Sequence, residues 1–365
     1  MTDIPVPPPT PDFAGPPPAK AGGQSGPPPA AMPWFPAPVA VEPKKRRYKV
    51  LAIVLAIFLG LSFLMNGVLI LATLGMAGLL VGGEEEAYVE KIIEKGPATH
   101  KIAVIHIDGI IMEEMAMAVR GEAERASRDP SVKAVILRIN SPGGGLTASD
   151  MIYHDIKSLL VDKGKPVVVA MDSVAASGGY YVACAGNEIV AQPTTITGSI
   201  GVIAQFFYIN LLLKDKLGVT TVTLTKGKQK DWPNLFDADM SDEQKQYFLD
   251  VLLQPGYDRF IDIVAESRKL VREDVHTQIA TGRIFLAKEA KDKGLIDSIG
   301  YFDQAVDLAK KRAGLTTARL VEYSRPFRLA DLIGMEARSR VIFDLKPERL
   351  AELGAPKIMY LWTGN

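Results

Sequence analysis

Ser177 sits in the run Met171-Asp172-Ser173-Val174-Ala175-Ala176-Ser177-Gly178-Gly179-Tyr180-Tyr181-Val182-Ala183, between a valine-rich stretch at 166–170 and a helix-compatible stretch at 180–185. Strand, tight turn, serine and helix start follow one another there. Such a turn presents a hydroxyl beside the free amides that open a helix, which is the layout a serine nucleophile needs. An ordinary glycine-rich turn has the same pattern, so the role of Ser177 depends on what the rest of the chain supplies. A second loop, Asn140-Ser141-Pro142-Gly143-Gly144-Gly145, follows a valine- and isoleucine-rich run at 132–139 and precedes a helical pattern. Three bare glycines let amide N–H groups point at a ligand oxygen, and ligands of α/β sheets bind at the carboxyl ends of strands. One amide from each loop would make an oxyanion hole. A phosphate cradle is a weaker reading, because no Lys-Ser/Thr pair follows the glycines.

A nucleophilic serine needs a proton acceptor. The four histidines are His100, His106, His154 and His276, and none falls between 155 and 275, the span that holds Ser177. His106 lies in a strand-like run and His154 in a helical one, where a structural role is the default, so a Ser-His-Asp triad has little support. Lysine is the alternative. It acts as a base only when neutral, which requires desolvation or a nearby cation. The cluster Lys226-Gly227-Lys228-Gln229-Lys230-Asp231 offers candidates, although most lysine runs are simply solvated. The turn Thr197-Gly198-Ser199-Ile200-Gly201 adds a hydroxyl, Ser199, that could orient an amine.

These groups must be held by a scaffold, and the chain is long enough for one. Its 365 residues are 47% hydrophobic, so at least one substantial core can form. Lys+Arg and Asp+Glu balance at 42 each, which gives no footprint for a nucleic-acid partner. One cysteine, Cys184, excludes an intrachain disulfide and a cysteine-based metal cluster. Residues 1–43 hold fifteen of the twenty-five prolines and read as a disordered, partly polyproline tail. A basic block (Lys44-Lys45-Arg46-Arg47, Lys49) then precedes residues 50–83, which carry no charge. About 20 residues cross a hydrocarbon core of about 30 Å, so 44–83 is expected to hold one retained transmembrane helix. Its apolar run is too long for a cleaved signal peptide, whose apolar region is about 7–15 residues. Basic residues before the helix and Glu84-Glu85-Glu86 after it predict a cytoplasmic tail and an extracytoplasmic remainder.

Beyond the helix, 84–100 reads as a stalk, helical over 88–94. Strand patterns are expected at 101–107, 132–139, 166–171, 188–191, 201–204 and 220–225. Helices are expected at 115–127, 148–160, 209–217, 242–267, 287–293 and 302–313, with Ser241 as a cap and Pro255-Gly256 as a break in the long one. Strands separated by helices predict an α/β domain with a mostly parallel sheet over 101–314. Residues 315–365 read as a less regular C-terminal arm that packs on something.

Three motifs, Asn140-Ser141-Pro142-Gly143-Gly144-Gly145, Ala175-Ala176-Ser177-Gly178-Gly179-Tyr180-Tyr181 and Thr197-Gly198-Ser199-Ile200-Gly201-Val202, resemble in order and spacing those of the signal peptide peptidase A (SppA) family. Thr281-Gly282-Arg283, Ala287, Ala290 and Gly294-Leu295-Ile296-Asp297 are similar to its later pattern, and the resemblance spans roughly 102–313. It implies a ClpP/crotonase-like α/β fold with flanking helices. It also implies a membrane-anchored serine–lysine peptidase with Ser177 as nucleophile and Lys230 as general base, Lys228 being the fallback. By the same resemblance, the amides of Gly178 and Gly144 are the oxyanion donors and Ser199 supports the lysine. The run Trp232-Pro233-Asn234, just after Lys230, departs from the family's usual sequence.

One copy of each motif matches the half-length form of the family, which the resemblance implies is a ring-like homo-octamer with serine and lysine on neighbouring protomers. The implied substrates are signal peptides left in the membrane, with misfolded envelope proteins as a second class. No metal or organic cofactor is implied. Two alternatives stand beside this reading. One is a crotonase-like acyl-CoA enzyme, which uses the same fold but would need neither Ser177 nor Lys230, and the other is an inactive membrane scaffold.

Overall fold

The computed structural model describes residues 45–81, 88–237, 239–324 and 357–363. The Pro-rich tail expected at 1–43 and most of the C-terminal arm, 325–356, lie outside them. The chain divides into two units, Met1–Leu79 and Leu80–Asn365. In the first, α1 (Lys45–Val81) contains Tyr48–Thr73, a stretch long and apolar enough to cross a membrane. Val50, Phe58, Leu64 and Leu71 are all exposed on it, so the helix has no single apolar stripe of the kind that packs on a soluble core.

The second unit is α/β. It begins with β1 (Val89–Glu94), β2 (Lys101–Asp108), α2 (Glu113–Arg128), β3 (Val132–Ser141), β4 (Gly143–Gly145) and α3 (Leu146–Ile156). Next come β5 (Val167–Ala176), α4 (Gly178–Ala183), β6 (Glu188–Ala191), β7 (Ile196–Gly198) and β8 (Ile203–Gln205). The helical α5 (Asp242–Phe248), α6 (Gln254–Arg268) and α7 (Arg272–Asp274) precede β9 (Ile284–Leu286), α8 (Ala287–Asp292), β10 (Ser298–Ile299), α9 (Phe302–Arg312), β11 (Arg319–Ser324) and β12 (Lys357–Leu361). The main sheet runs β1-β11-β2-β3-β5-β6-β10, and β7 pairs with the far end of β5 and with β9. Only β1/β11 and β7/β9 are antiparallel among its pairs. A small second sheet, β4-β12-β8, is antiparallel throughout.

The period-two alternation of the central strands feeds two cores. Ala103, Ile105, Val135, Leu137, Val167 and Val169 face one side, where they meet α2, α3, α4 and α6. Ile102, Val104, Ala134, Ile136, Val168 and Ala170 face the other, against Ala305, Val306 and Ala309 of α9. Strands covered on both faces read as nearly continuous apolar runs, which is why 132–139 and 166–171 are recognisable in the sequence.

Three elements differ from expectation. Residues 88–94 are not helical, because Val89–Glu94 forms an edge strand antiparallel to β11 and so belongs to the sheet. Lys101 ties it down, its Nζ lying 2.7 Å from Glu90 and 3.1 Å from Asp129. Residues 220–225 pair with no strand among the described residues, and Val222 and Leu224 are 80% and 92% exposed. Their alternation suits a strand, yet among the described residues they join neither sheet. Finally, Pro255 does not break the helical run. A π-helical turn at Leu249–Leu253 widens the spiral and delivers the proline into the first turn of α6, where its missing N–H costs nothing. The cap at Ser241 is present as a full capping box with Gln244.

Replacing Leu137, fully buried in the central β3, by alanine should cost about 2–5 kcal/mol in denaturant unfolding of the full chain in detergent. Met117→Ala on the exposed face of α2 should stay within about 0.5 kcal/mol.

Candidate active site

β5 outruns the apolar stretch that predicts it. Its last residues, Val174 to Ala176, leave β6 and pair with β7 instead. The strand therefore ends beside the Gly198–Ser199 turn, and the Ser177 N–H donates to the Gly198 carbonyl at 2.7 Å. Ser177 then takes φ 52°, ψ −116°, a region that side chains rarely adopt, and α4 begins at the next residue. Strain of this kind costs about 1–3 kcal/mol and persists only where the surroundings over-determine it. It resembles the sharp strand-to-helix turn that displays a nucleophile in α/β-hydrolase proteins. The Ser177 side chain caps nothing and opens into a cavity of about 890 Å³.

The glycine loop lies directly against this turn. Gly143 N–H donates to the Ser141 hydroxyl at 3.0 Å, and Gly145 N–H donates to the Ile111 carbonyl at 2.8 Å. Of the three glycine amides, that of Gly144 is the one left for a partner across the small sheet. The Gly178 amide opens α4, so it has no acceptor within the helix. A methyl group on Gly143 would sit 2.6 Å from the Gly178 nitrogen, which puts the two loops in van der Waals contact. The Gly178 amide and, facing β12, the Gly144 amide lie on the two loops that meet beside the serine, the arrangement an oxyanion hole uses.

Ser199 lines the same cavity, also at positive φ (49°), with its N–H donating to the Arg283 carbonyl at 2.8 Å. Thr281, Gly282 and Arg283 form part of the cavity wall, joined to the serine turn by the Gly282 N–H bond to the Ile200 carbonyl. These residues and the 249–257 helical wall, including Tyr257, were not among the expected site residues. Thr281-Gly282-Arg283 belong to the family's later pattern, whereas residues 249–257, in the π-helical turn and the start of α6, carry no motif that marks them. Burial raises the Tyr257 phenol above its ordinary pKa, with Asp258 adding to the effect, so Tyr257 stays neutral at physiological pH.

Lys230 is elsewhere. It is exposed in the turn after 220–225, its N–H bonded to the Gly227 carbonyl at 3.1 Å, and it does not line the Ser177 cavity. Lys228 is likewise exposed and paired with Glu243 at 2.5 Å. Within one chain the expected serine and lysine are therefore not brought together. Among the described residues no histidine lines the cavity in their place. His106 meets Glu322 at 2.8 Å on the far strands, and His276 packs edge-on against Tyr257 at 5.8 Å. Cys184 is no rival nucleophile, because burial pushes its thiol up to about 11.

Comparison with known proteins decides the family. The model for peptidase family S49 matches residues 160–316, which contain Ser177, Ser199 and Lys230, and that for Clp protease matches 95–196. The protein named "Putative signal peptide peptidase SppA" of Enterococcus faecium is 32% identical over 316 residues, covering 80% of this chain and 88% of that one. The chain belongs to the SppA family of S49 peptidases. Protease 4 of Salmonella typhi is 35% identical over 70% of this chain, which spans 42% of that protein's length. The chloroplastic serine protease SPPA of Arabidopsis thaliana is 37% identical over 60% of the chain, which spans 31% of its length. This SppA-family chain is a serine peptidase with a ClpP-like α/β fold, and membership in the family sets aside the acyl-CoA alternative.

Two substitutions test the geometry. Ser177→Gly and Ser177→Ala both remove the hydroxyl, but only glycine accepts φ 52° freely, so the glycine variant should be more stable by about 1 kcal/mol in denaturant unfolding. Gly144→Ala would place a methyl 2.0 Å from the Ile111 carbonyl oxygen, and the displaced loop should lower kcat by about 10²–10³.

Proposed function

We propose that this chain is a membrane-anchored endopeptidase in which Ser177 attacks a peptide carbonyl and Lys230 of a neighbouring copy accepts its proton. The amides of Gly178 and Gly144 stabilise the tetrahedral oxyanion, and the Ser199 hydroxyl orients the incoming lysine amine. The observation that carries the reading is the strained Ser177 turn, which holds a free hydroxyl beside the glycine loop in the wall of a large cavity. Lys230 is the matching base by resemblance, and its exposure away from Ser177 is what a base shared between copies requires.

The arm that carries Lys230 supports assembly. Phe207, Leu211, Leu217, Val222 and Leu224 are exposed along it, from 57% to 92%, and a second copy would remove that apolar surface from water. A homo-octamer is the arrangement implied for half-length members of the family. The α1 helix would anchor the assembly with the 1–43 tail in the cytoplasm and the peptidase domain outside. Such an anchor keeps the site near apolar peptides in the bilayer, which fits signal-peptide remnants as substrates, with misfolded envelope proteins as a second class. Nothing in this mechanism calls for a metal or cofactor.

The test is hydrolysis of a fluorogenic apolar peptide by the purified full-length oligomer. Ser177→Ala and Lys230→Ala should each abolish turnover, whereas Lys228→Ala should retain it. Turnover that survives in either of the first two contradicts the mechanism. Because the base must be neutral to accept a proton, kcat/KM should fall as pH is lowered, and a profile flat into the acid range would argue for a different base.

A further inference from the structure

Ser199 holds φ 49°, a conformation that residues with side chains rarely adopt, so its surroundings must keep it there. Residues 280–283 do so with two backbone bonds. The Ser199 N–H donates to the Arg283 carbonyl at 2.8 Å, and the Gly282 N–H donates to the Ile200 carbonyl at 3.1 Å. Ile200 itself is fully buried. The same turn reaches the nucleophile, since the Gly198 carbonyl takes the Ser177 N–H at 2.7 Å. Whatever fixes the 280–283 segment therefore fixes Ser199. Its far end is held by the β7/β9 pairing, where Ile284 lies opposite Gly198.

The near end is held from α6. The Tyr257 hydroxyl donates to the carbonyl of Ala280, a buried residue. The Tyr257 ring also packs edge-on against His276 at 5.8 Å, in the π-helical turn Val275–Ile279 that leads into Ala280. Ring and hydroxyl thus bear on the same short segment. Leu249, Leu253 and Tyr257 line the Ser177 cavity at a spacing of four, so one face of the helical run looks into it. The π-helical turn at Leu249–Leu253 sets that face, because one residue more or less would rotate α6 by about 100°. Tyr257 is therefore aimed at the cavity, yet its hydroxyl is committed to the protein rather than to a ligand.

We propose that Tyr257 is a positioning residue: by holding the Ala280 carbonyl, its hydroxyl fixes the 280–283 segment, whose backbone keeps Ser199 turned toward the lysine amine. The proposal rests on the peptidase reading, with Ser177 as nucleophile and Ser199 orienting the base. A hydroxyl that donates to the neutral amine favours that form over the charged one. Loosening the segment should therefore slow proton transfer and move the acid limb of kcat/KM to higher pH. Among the described residues, the charged side chains of the cavity lining are Asp250 and Arg283. A substitution at Tyr257 leaves both in place, so such a movement would come from alignment and not from an altered charge.

The experiment is a double-mutant cycle on the purified full-length oligomer, with a fluorogenic apolar peptide and full pH–rate profiles. Tyr257→Phe keeps the ring and removes the hydroxyl. Its kcat should fall by about 10–100-fold with KM unchanged, and its acid limb should move to higher pH. Ser199→Ala should move the limb the same way. The double variant should be no slower than Ser199→Ala alone, because Tyr257 then has nothing left to position. Gly282→Ala probes the segment independently of whether Tyr257→Phe folds. Its φ of 77° strains any side chain, while a methyl there meets no atom within 4 Å, so it should repeat the loss in kcat. Tyr257→Phe with wild-type kcat, a loss that multiplies with that of Ser199→Ala, or a rise in KM alone overturns this proposal and leaves the peptidase reading intact. A Ser199→Ala enzyme that behaves as wild type overturns the proposal together with the role of Ser199. Wild type that hydrolyses nothing overturns the peptidase reading as well.

Discussion

A methyl group on Gly143, Gly144, Gly178 or Gly179 would fall 2.0–2.8 Å from a neighbouring atom, a backbone atom in every case but Gly178, where it is the Ser149 hydroxyl. Four glycines thus let the ends of β3 and β5 come together closely enough for amides from two loops to converge on one point. The positive φ of Ser177 follows from that constraint. The strand must turn into α4 within one residue to keep its amide in register with the loop, and the Gly198 carbonyl at 2.7 Å holds the turn in place. A low-dielectric setting adds to the effect, since Ser177 and Ser141 are essentially buried and α4 is buried along its whole length. Donors fixed in this way need no reorganisation when negative charge develops on the carbonyl oxygen.

The scaffold behind the site is comparatively ordinary. Apolar strands with helices on both faces set a rigid carboxyl-terminal edge, and the loops on that edge carry the chemistry. What distinguishes the chain is the division of the proposed chemistry. Ser177 and the glycine-loop amides sit on the rigid sheet edge, whereas Lys230, the proposed base, sits on an arm that leaves apolar surface exposed and an alternating segment unpaired. A base carried on such an arm would couple activity to assembly.

Much of this was legible in the sequence, for physical reasons. Buried parallel strands announce themselves as apolar runs, and the glycine clusters announce positions where backbones approach. Ser177 and Ser199 could be read from such local signals and line one cavity, and the glycine loop at 143–145 packs against Gly178. The strand at 88–94 was not legible, because an edge strand with few buried residues has no strong alternation and its partner, β11, lies more than two hundred residues away. The segment at 220–225 shows the reverse failure, a strand-like pattern that joins neither sheet among the described residues. Lys357–Leu361 holds an apolar run only four residues long, and its place between β4 and β8 is not encoded in composition. The cavity wall at 281–284 was marked by the family motif and not by any chemistry of its own.

The central claim is that one chain holds half of an active site. Mixing the two inactive single variants, Ser177→Ala and Lys230→Ala, under conditions that exchange subunits tests it most directly, with peptide hydrolysis as the readout. If the base reaches the serine of a neighbouring copy, some junctions in the mixed assembly pair an intact Ser177 with an intact Lys230, and activity partly returns. If serine and lysine act within the same chain, every site in the mixture lacks one of them, and the mixture stays as inactive as its components.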